Sequence, residues 1–180
     1  AADQIITVSE QCKRLFVAKA DVAEKIAVIP NGFEEKDFIN SPTINNIGTI
    51  TPNSSLFPNG HQHVLTPNYI LSYVGVLAPQ YDLEPLKSLV QGRNDILLRF
   101  VGVVSDEIRS EIESWGVQTE FISYVSHREA IEYMQSSDAL MLFIPNVLNN
   151  EGILTGKLFE YLAAGRKILL FGPESGDAMR

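Results

Sequence analysis

The sequence predicts an α/β fold: a parallel sheet with helices on both faces. Two patterns carry this expectation. From Tyr69 onward, strand-like apolar runs alternate with helix-like runs. Those strand runs are almost continuously apolar, as strands covered on both faces are. A third observation bears on function. Three runs end in glycine, at Gly75 in "YVG", Gly102 in "FVG" and Gly172 in "LFG". In open parallel sheets ligands bind beyond the carboxyl ends of the strands, and glycine there admits a phosphate close to the backbone. The plainer reading of each glycine is a tight turn from strand to helix.

Taken in order, Gln4–Val8 "QIITV" reads as a buried strand, with Ser9 as N-cap of a helix over Glu10–Ala18. Ile26–Ile29 is a short strand stopped by the turn Pro30-Asn31-Gly32. Between Phe38 and Tyr81 there is no Asp, Glu, Lys or Arg, and 40–68 is rich in Asn, Ser, Thr, Pro and Gly. So long a loop signals a linker or an insertion. Strands are then expected at Tyr69–Val76, Ile96–Val103, Thr119–Tyr124, Ala139–Ile144 and Ile168–Phe171. Helices are expected at Leu83–Gln91, Asp106–Trp115, Arg128–Ser136 and Gly156–Ala164, with Ser105, Ser126 and Thr155 placed to cap. Gly165 is placed to end the last of them.

Composition narrows the function classes. The 180 residues are 45% hydrophobic and 20% charged, enough for a core and about one domain, or one plus a fragment. The net charge of −8 argues against non-specific binding to nucleic acid or an acidic membrane. An anionic ligand would need a local site of backbone amides and a few cations. Cys12 is the single cysteine, so no internal disulfide forms, which leans towards a reducing compartment. Apolar runs such as Ala139–Ile144 are too short to span a bilayer. The chain opens "AADQIITVS", without an initiator Met, and reads as a piece of a longer protein.

"EGILTGKLFEYLAAG", Glu151–Gly165, is the most informative stretch. It is not a P-loop: the spacing from Gly152 to Gly156-Lys157 is one residue short, and Leu158 stands where a Ser or Thr is needed. Lys157 falls in the first helical turn, where the helix dipole disfavours a cation. That position makes sense when an anion docks at the helix start, held by free N–H groups and the ammonium, with Gly152 and Gly156 allowing close approach. Glu160, one turn on and sharing the Lys157 face, suits the vicinal diol of a ribose. The plainer alternative is a solvated Lys157–Glu160 pair. His61 and His63 alternate but lack other ligands nearby, so no metal site is expected. His127 reads as a cap-region residue at the rim, and Trp115, Phe100 and Phe121 as core.

Together, "KIAVIPNGF" (Lys25–Phe33), "YVGVL" (Tyr73–Leu77), "FVGVVS" (Phe100–Ser105), "FISYVSHREAIEYMQSSDALML" (Phe121–Leu142) and "GKLFEYLAAGRKIL" (Gly156–Leu169) resemble the glycosyltransferase group 1 family. The resemblance implies the GT-B fold, two Rossmann-like domains with the active site between them. On this footing 1–38 is the tail of an N-terminal acceptor domain, 39–68 a linker or mobile loop, and 69–180 a donor-binding Rossmann-like domain, incomplete at its end. The resemblance also implies transfer of a sugar from a nucleotide-sugar donor to a glycan or lipid-linked acceptor, with retention and usually without a metal. No cofactor is then expected beyond the nucleotide-diphosphate sugar as co-substrate. The setting is polysaccharide biosynthesis in the cytoplasm or at the inner membrane face, with the fragment alone inactive.

By the same resemblance Glu160 matches the glutamate that binds the donor ribose. Thr155, Gly156 and Lys157 lie at the diphosphate, Gly75 matches the glycine loop facing the phosphates, and Val125 falls where backbone groups meet the base. Gly102 and Gly152 complete the expected donor-binding set. Two departures stand out. The partner of Glu160 in the family's glutamate pair falls at Gly152, with Glu151 one residue off and given no role. The family's loop cations are replaced by Val76 and, roughly, Gln80 or Tyr81, so that Lys157 is left to supply the positive charge. Rival readings are a GT-B epimerase or hydrolase of nucleotide sugars and a non-catalytic nucleotide-binding or interaction module.

Overall fold

The computed structural model describes residues 2–39 and 67–180. The expected linker lies almost wholly outside these, together with His61 and His63. In the N-terminal segment, β1 (Ile5–Thr7) and β2 (Ile26–Val28) pair in parallel through helix α1 (Glu10–Val17). Ser9 caps α1: its backbone is extended and its hydroxyl accepts the Cys12 N–H. A short helix not foreseen in the sequence, α2 (Glu35–Ile39), follows.

The main unit is a five-stranded, all-parallel sheet in the order β5-β4-β3-β6-β7. Its strands are β3 (Tyr69–Leu77), β4 (Ile96–Val104), β5 (Gln118–Ile122), β6 (Ala139–Phe143) and β7 (Lys167–Phe171). The crossover helices are α3 (Glu84–Val90), α4 (Asp106–Ser114), α5 (His127–Gln135) and α6 (Gly156–Ala163). The ends differ from expectation by a residue or two. The largest shift is at β5, which stops at Ile122, because Ser126 and Glu129 form a reciprocal capping box that starts α5 at His127.

Side chains alternate across each strand, so each face acquires its own core. On one face Leu86 and Val90 of α3 and Ile108 and Ile112 of α4 pack on Leu71, Tyr73, Leu98, Phe100 and Met141. On the other, Met134 of α5 and Tyr161 of α6 pack on Val74, Val101, Leu140 and Leu142. The expected core aromatics are where the pattern put them: Phe100 is fully buried and stacks on Phe121 at 5.3 Å between centroids, and Trp115 packs beside them. Arg99, in the middle of "ILLRF", is 1% exposed. The parallel register places it opposite Glu120, whose Oε2 accepts from Nε at 2.7 Å.

Strand order reverses between β3 and β6. These two strands pair only at Leu71 with Ala139 and Ser72 with Leu140, whereas β3 and β4 pair along their whole length. Beyond Ser72 the backbone of β3 has lost its neighbour on that side. Tyr161 fills the opening. Its hydroxyl accepts the Val74 N–H at 3.0 Å and donates to the Val74 carbonyl at 3.5 Å, and the side chain is fully buried. One phenol thus satisfies two strand groups that a sixth-strand partner would otherwise have to meet.

Tyr161→Phe removes that bond and leaves the Val74 N–H buried without an acceptor. The expected loss of unfolding free energy is about 1–3 kcal/mol, read by urea denaturation. A change within the scatter of surface substitutions would show that the sheet does not need the bond.

Candidate functional site

Above the point where β3 and β6 part, the start of α6 reaches the carboxyl end of β3: Lys157 contacts Gly75. Thr155 is the N-cap residue by backbone geometry, φ −78° and ψ 149°. Its side chain does not cap, contrary to the sequence expectation: Oγ1 is buried and has no hydrogen-bond partner among the described residues. The first-turn amides are therefore left open, and those of Gly156 and Lys157 donate to no acceptor among the described residues. Gly156 is exposed, and a β-carbon there would meet open space. At the other end Gly165 closes the helix in the left-handed conformation, φ +68°.

Lys157 does not form a solvated pair with Glu160. Its side chain lies across the switch point and is half-buried. Nζ donates to the Tyr73 hydroxyl at 3.3 Å and stands 5.2 Å from the centre of that ring. Its Cε sits against Gly75, where any β-carbon would overlap it. Gly75 has φ +135°, a conformation other residues rarely hold, so glycine is required there both for the backbone and for the lysine. Burial lowers the pKa of Lys157 from the ordinary lysine range, and the nearby Glu160 carboxylate opposes that shift. Glu160 is half-buried and has no hydrogen-bond partner among the described residues.

Tyr73 belongs to the opposite face of the sheet. Its hydroxyl donates to the Val76 carbonyl at 2.7 Å, which leaves its lone pairs to Lys157. Burial, with the neighbouring Tyr81 and Tyr161 behind it, pushes the phenol pKa up, so it stays protonated. Sequence reasoning assigned no role to Tyr73 or Tyr161. The available signal was a tyrosine within an otherwise aliphatic strand, and a second one turn after Lys157.

The other expected residues divide. Gly102 is the register partner of Gly75. It has φ +119°, and a β-carbon on it would overlap the Gly75 carbonyl oxygen. The two strands bend together at this level, so the close approach that demands Gly102 is that of Gly75. Gly172 faces Ile144, whose Cβ would lie 2.8 Å from an added β-carbon, so packing against Ile144 accounts for this glycine. Gly152 is buried away from the open amides, under Gln11 and Cys12 of α1. Val125 stands in the turn between β5 and α5, half-buried against the α5–α6 core. His127 is exposed at the start of α5, with Nε2 3.1 Å from an Asp37 oxygen of α2. Val76 is 57% exposed where the related pattern has a cation.

No protein-family model and no curated protein matches the chain. Solved structures do. The chain is similar to HepE of Anabaena in complex with UDP, at 17% identity and a TM-score of 0.70, over 99% of this chain and 46% of HepE. The HepE complex with UDP and glucose gives 18% identity and a TM-score of 0.67 over the same spans. TarM gives 15% identity and a TM-score of 0.61, over 97% of this chain and 30% of TarM. The unit is one half of a GT-B fold. The chain spans about half the length of HepE.

The half-buried lysine makes stability depend on pH. The unfolded chain holds the Lys157 proton to a higher pH than the folded chain does, so this group makes stability rise with pH as the folded form gives up its proton. Urea unfolding from about pH 8 to about pH 10.4 is expected to show wild type gaining on Lys157→Met. Parallel curves would show that the lysine is not held out of water.

Proposed function

We propose that this chain is the donor-binding part of a glycosyltransferase that moves a sugar from a nucleotide-sugar donor to a glycan or lipid-linked acceptor, with retention. One observation carries the reading. At the point where the sheet reverses, a lysine is drawn over a strand-end glycine, beside two helix amides that have no acceptor among the described residues. Desolvating a lysine against a phenol and a glycine is unfavourable on its own terms, as the depressed pKa records. An anion at the open amides would return the lost charge interaction.

A nucleoside diphosphate fits these groups. The amides of Gly156 and Lys157 and the Lys157 ammonium would face the phosphates. The unpartnered Glu160 carboxylate would accept from ribose hydroxyls one turn along the helix. In transfer, the bond from the anomeric carbon to the diphosphate oxygen breaks, and that carbon bonds to an acceptor hydroxyl, which gives up its proton. Negative charge grows on the departing diphosphate, where the preset amides and ammonium stabilise it. HepE, which shares the fold, is solved with UDP and with UDP-glucose. The retaining outcome and the kind of acceptor rest on the resemblance to the group 1 family. The acceptor-side base is assigned to sequence outside this chain, so the chain alone is expected to bind donor and to turn over nothing. No described helix is long and apolar enough to cross a membrane.

Calorimetric titration with UDP-, GDP- and ADP-sugars tests the reading, and no binding of any of them would overturn it in favour of an interaction module. With the base that binds, Lys157→Ala is expected to weaken the nucleoside diphosphate by about 10- to 100-fold, the weight of a charged hydrogen bond, while the free nucleoside is little affected. Glu160→Ala is expected to weaken diphosphate and nucleoside alike, because both carry the ribose. Equal losses for the two ligands in Lys157→Ala would remove the lysine from the phosphate site.

A further inference from the structure

The 3-10 turn Asn150–Gly152 precedes the start of α6 and is held from outside its own unit. Ser9 is buried at the start of α1, and its hydroxyl donates to the Gly152 carbonyl at 2.9 Å while accepting the Cys12 N–H. The Cys12 thiol donates to the same carbonyl at 3.5 Å. A side chain at position 152 would press on Gln11 and Cys12, so glycine here is what lets α1 come down onto the turn. The opposite side of the turn is held by the chain end. The Ser175 hydroxyl donates to Glu151 Oε1 at 2.9 Å. The carboxylate of Asp177, in the turn Asp177–Met179, accepts the Gln11 N–H of α1 at 2.7 Å and pairs with Arg180 at 3.0 Å. The α1 dipole is therefore met by Asp177. Helix α1, the 150–152 turn and the 177–179 turn form one closed ring of contacts, three residues short of Thr155.

We propose that α1 is a positioning element for the anion-binding start of α6: Ser9 and Asp177 fix the 150–152 turn, and through it the direction in which the Gly156 and Lys157 amides point. The N-terminal segment thereby sets affinity for the phosphates of the donor without touching them. This rests on the donor-binding reading above for its ligand, but not for the coupling itself. It explains why the expected glutamate partner position holds Gly152: at that place in the chain, helix packing, not sugar contact, decides the residue. Ser9 and Asp177 are positioning residues, and they act through the Gly152 carbonyl and the Gln11 amide.

Two measurements on the full chain separate the coupling from the function. In hydrogen–deuterium exchange without ligand, Ser9→Ala and Asp177→Ala are each expected to speed exchange across 150–158 while the β3 and β4 amides keep their protection. Ser9→Thr, which keeps the hydroxyl, is expected to restore slow exchange. In titrations with UDP, GDP and ADP against the free nucleosides, the two weakening variants are expected to lose roughly three- to tenfold for the diphosphate, the weight of an ordinary hydrogen bond, with the nucleoside little changed. Unchanged exchange across 150–158 in both variants overturns the coupling, whatever the protein binds. Faster exchange over the whole chain, with diphosphate and nucleoside weakened together, also overturns it, since that is loss of structure. Faster exchange at 150–158 in a protein that binds no diphosphate supports the coupling and overturns the donor-binding reading alone.

Discussion

The hydrogen bonds between Tyr161 and the backbone of Val74 are what the rest of this structure depends on. A parallel sheet whose strand order reverses has to part somewhere, and the parting leaves strand amides without partners. Here β3 and β6 separate after Ser72, and a single phenol enters from α6 to take their place. Because the hydroxyl both accepts and donates, one side chain closes the lower part of the gap and holds it open above. That same bond pins α6 against the sheet at one height. Its first turn is thereby set at the carboxyl ends of the strands.

The residue one turn earlier inherits its place from this. Lys157 is four positions before Tyr161 and so shares its side of the helix. Lys157 extends across Gly75 towards Tyr73. Gly75 and Gly102 bend together and clear the space, and Tyr73 spends its own proton on Val76 and offers lone pairs upward. The arrangement is unfavourable for the isolated chain in two respects: a partly desolvated ammonium and a buried threonine hydroxyl with no hydrogen-bond partner among the described residues. On the donor-binding proposal, stability and binding are set against each other within one helical turn.

Much of this was legible in the residues. Gly75, Gly156, Lys157 and Glu160 could be singled out because local chemistry marks them: a strand-end glycine, a cation at the wrong end of a helix, a carboxylate one turn on. The same local logic failed at Thr155 and Gly152. A threonine before a helix is an N-cap by propensity, yet its rotamer is chosen by packing, and here the hydroxyl is turned away from the amides. Gly152 looked like room for an anion, but the room is taken by a helix that lies far away in sequence. Gly102 and Gly172 likewise answer to neighbours, the Gly75 carbonyl and the Ile144 side chain, which no spacing rule reveals.

By itself the sequence determined the class of fold, the order and approximate bounds of the strands and helices from Tyr69 onward, and the helix on which the candidate site is built. Each of these depends on periodicity and capping, which are read within a few residues. The tertiary structure decided which strands stand side by side, that Arg99 meets Glu120, that Tyr73 receives Lys157 from the opposite face, and that α1 closes over Gly152. These join residues far apart in the chain, and register, splay and docking settle them together, because a parallel sheet brings its partners in only through crossovers.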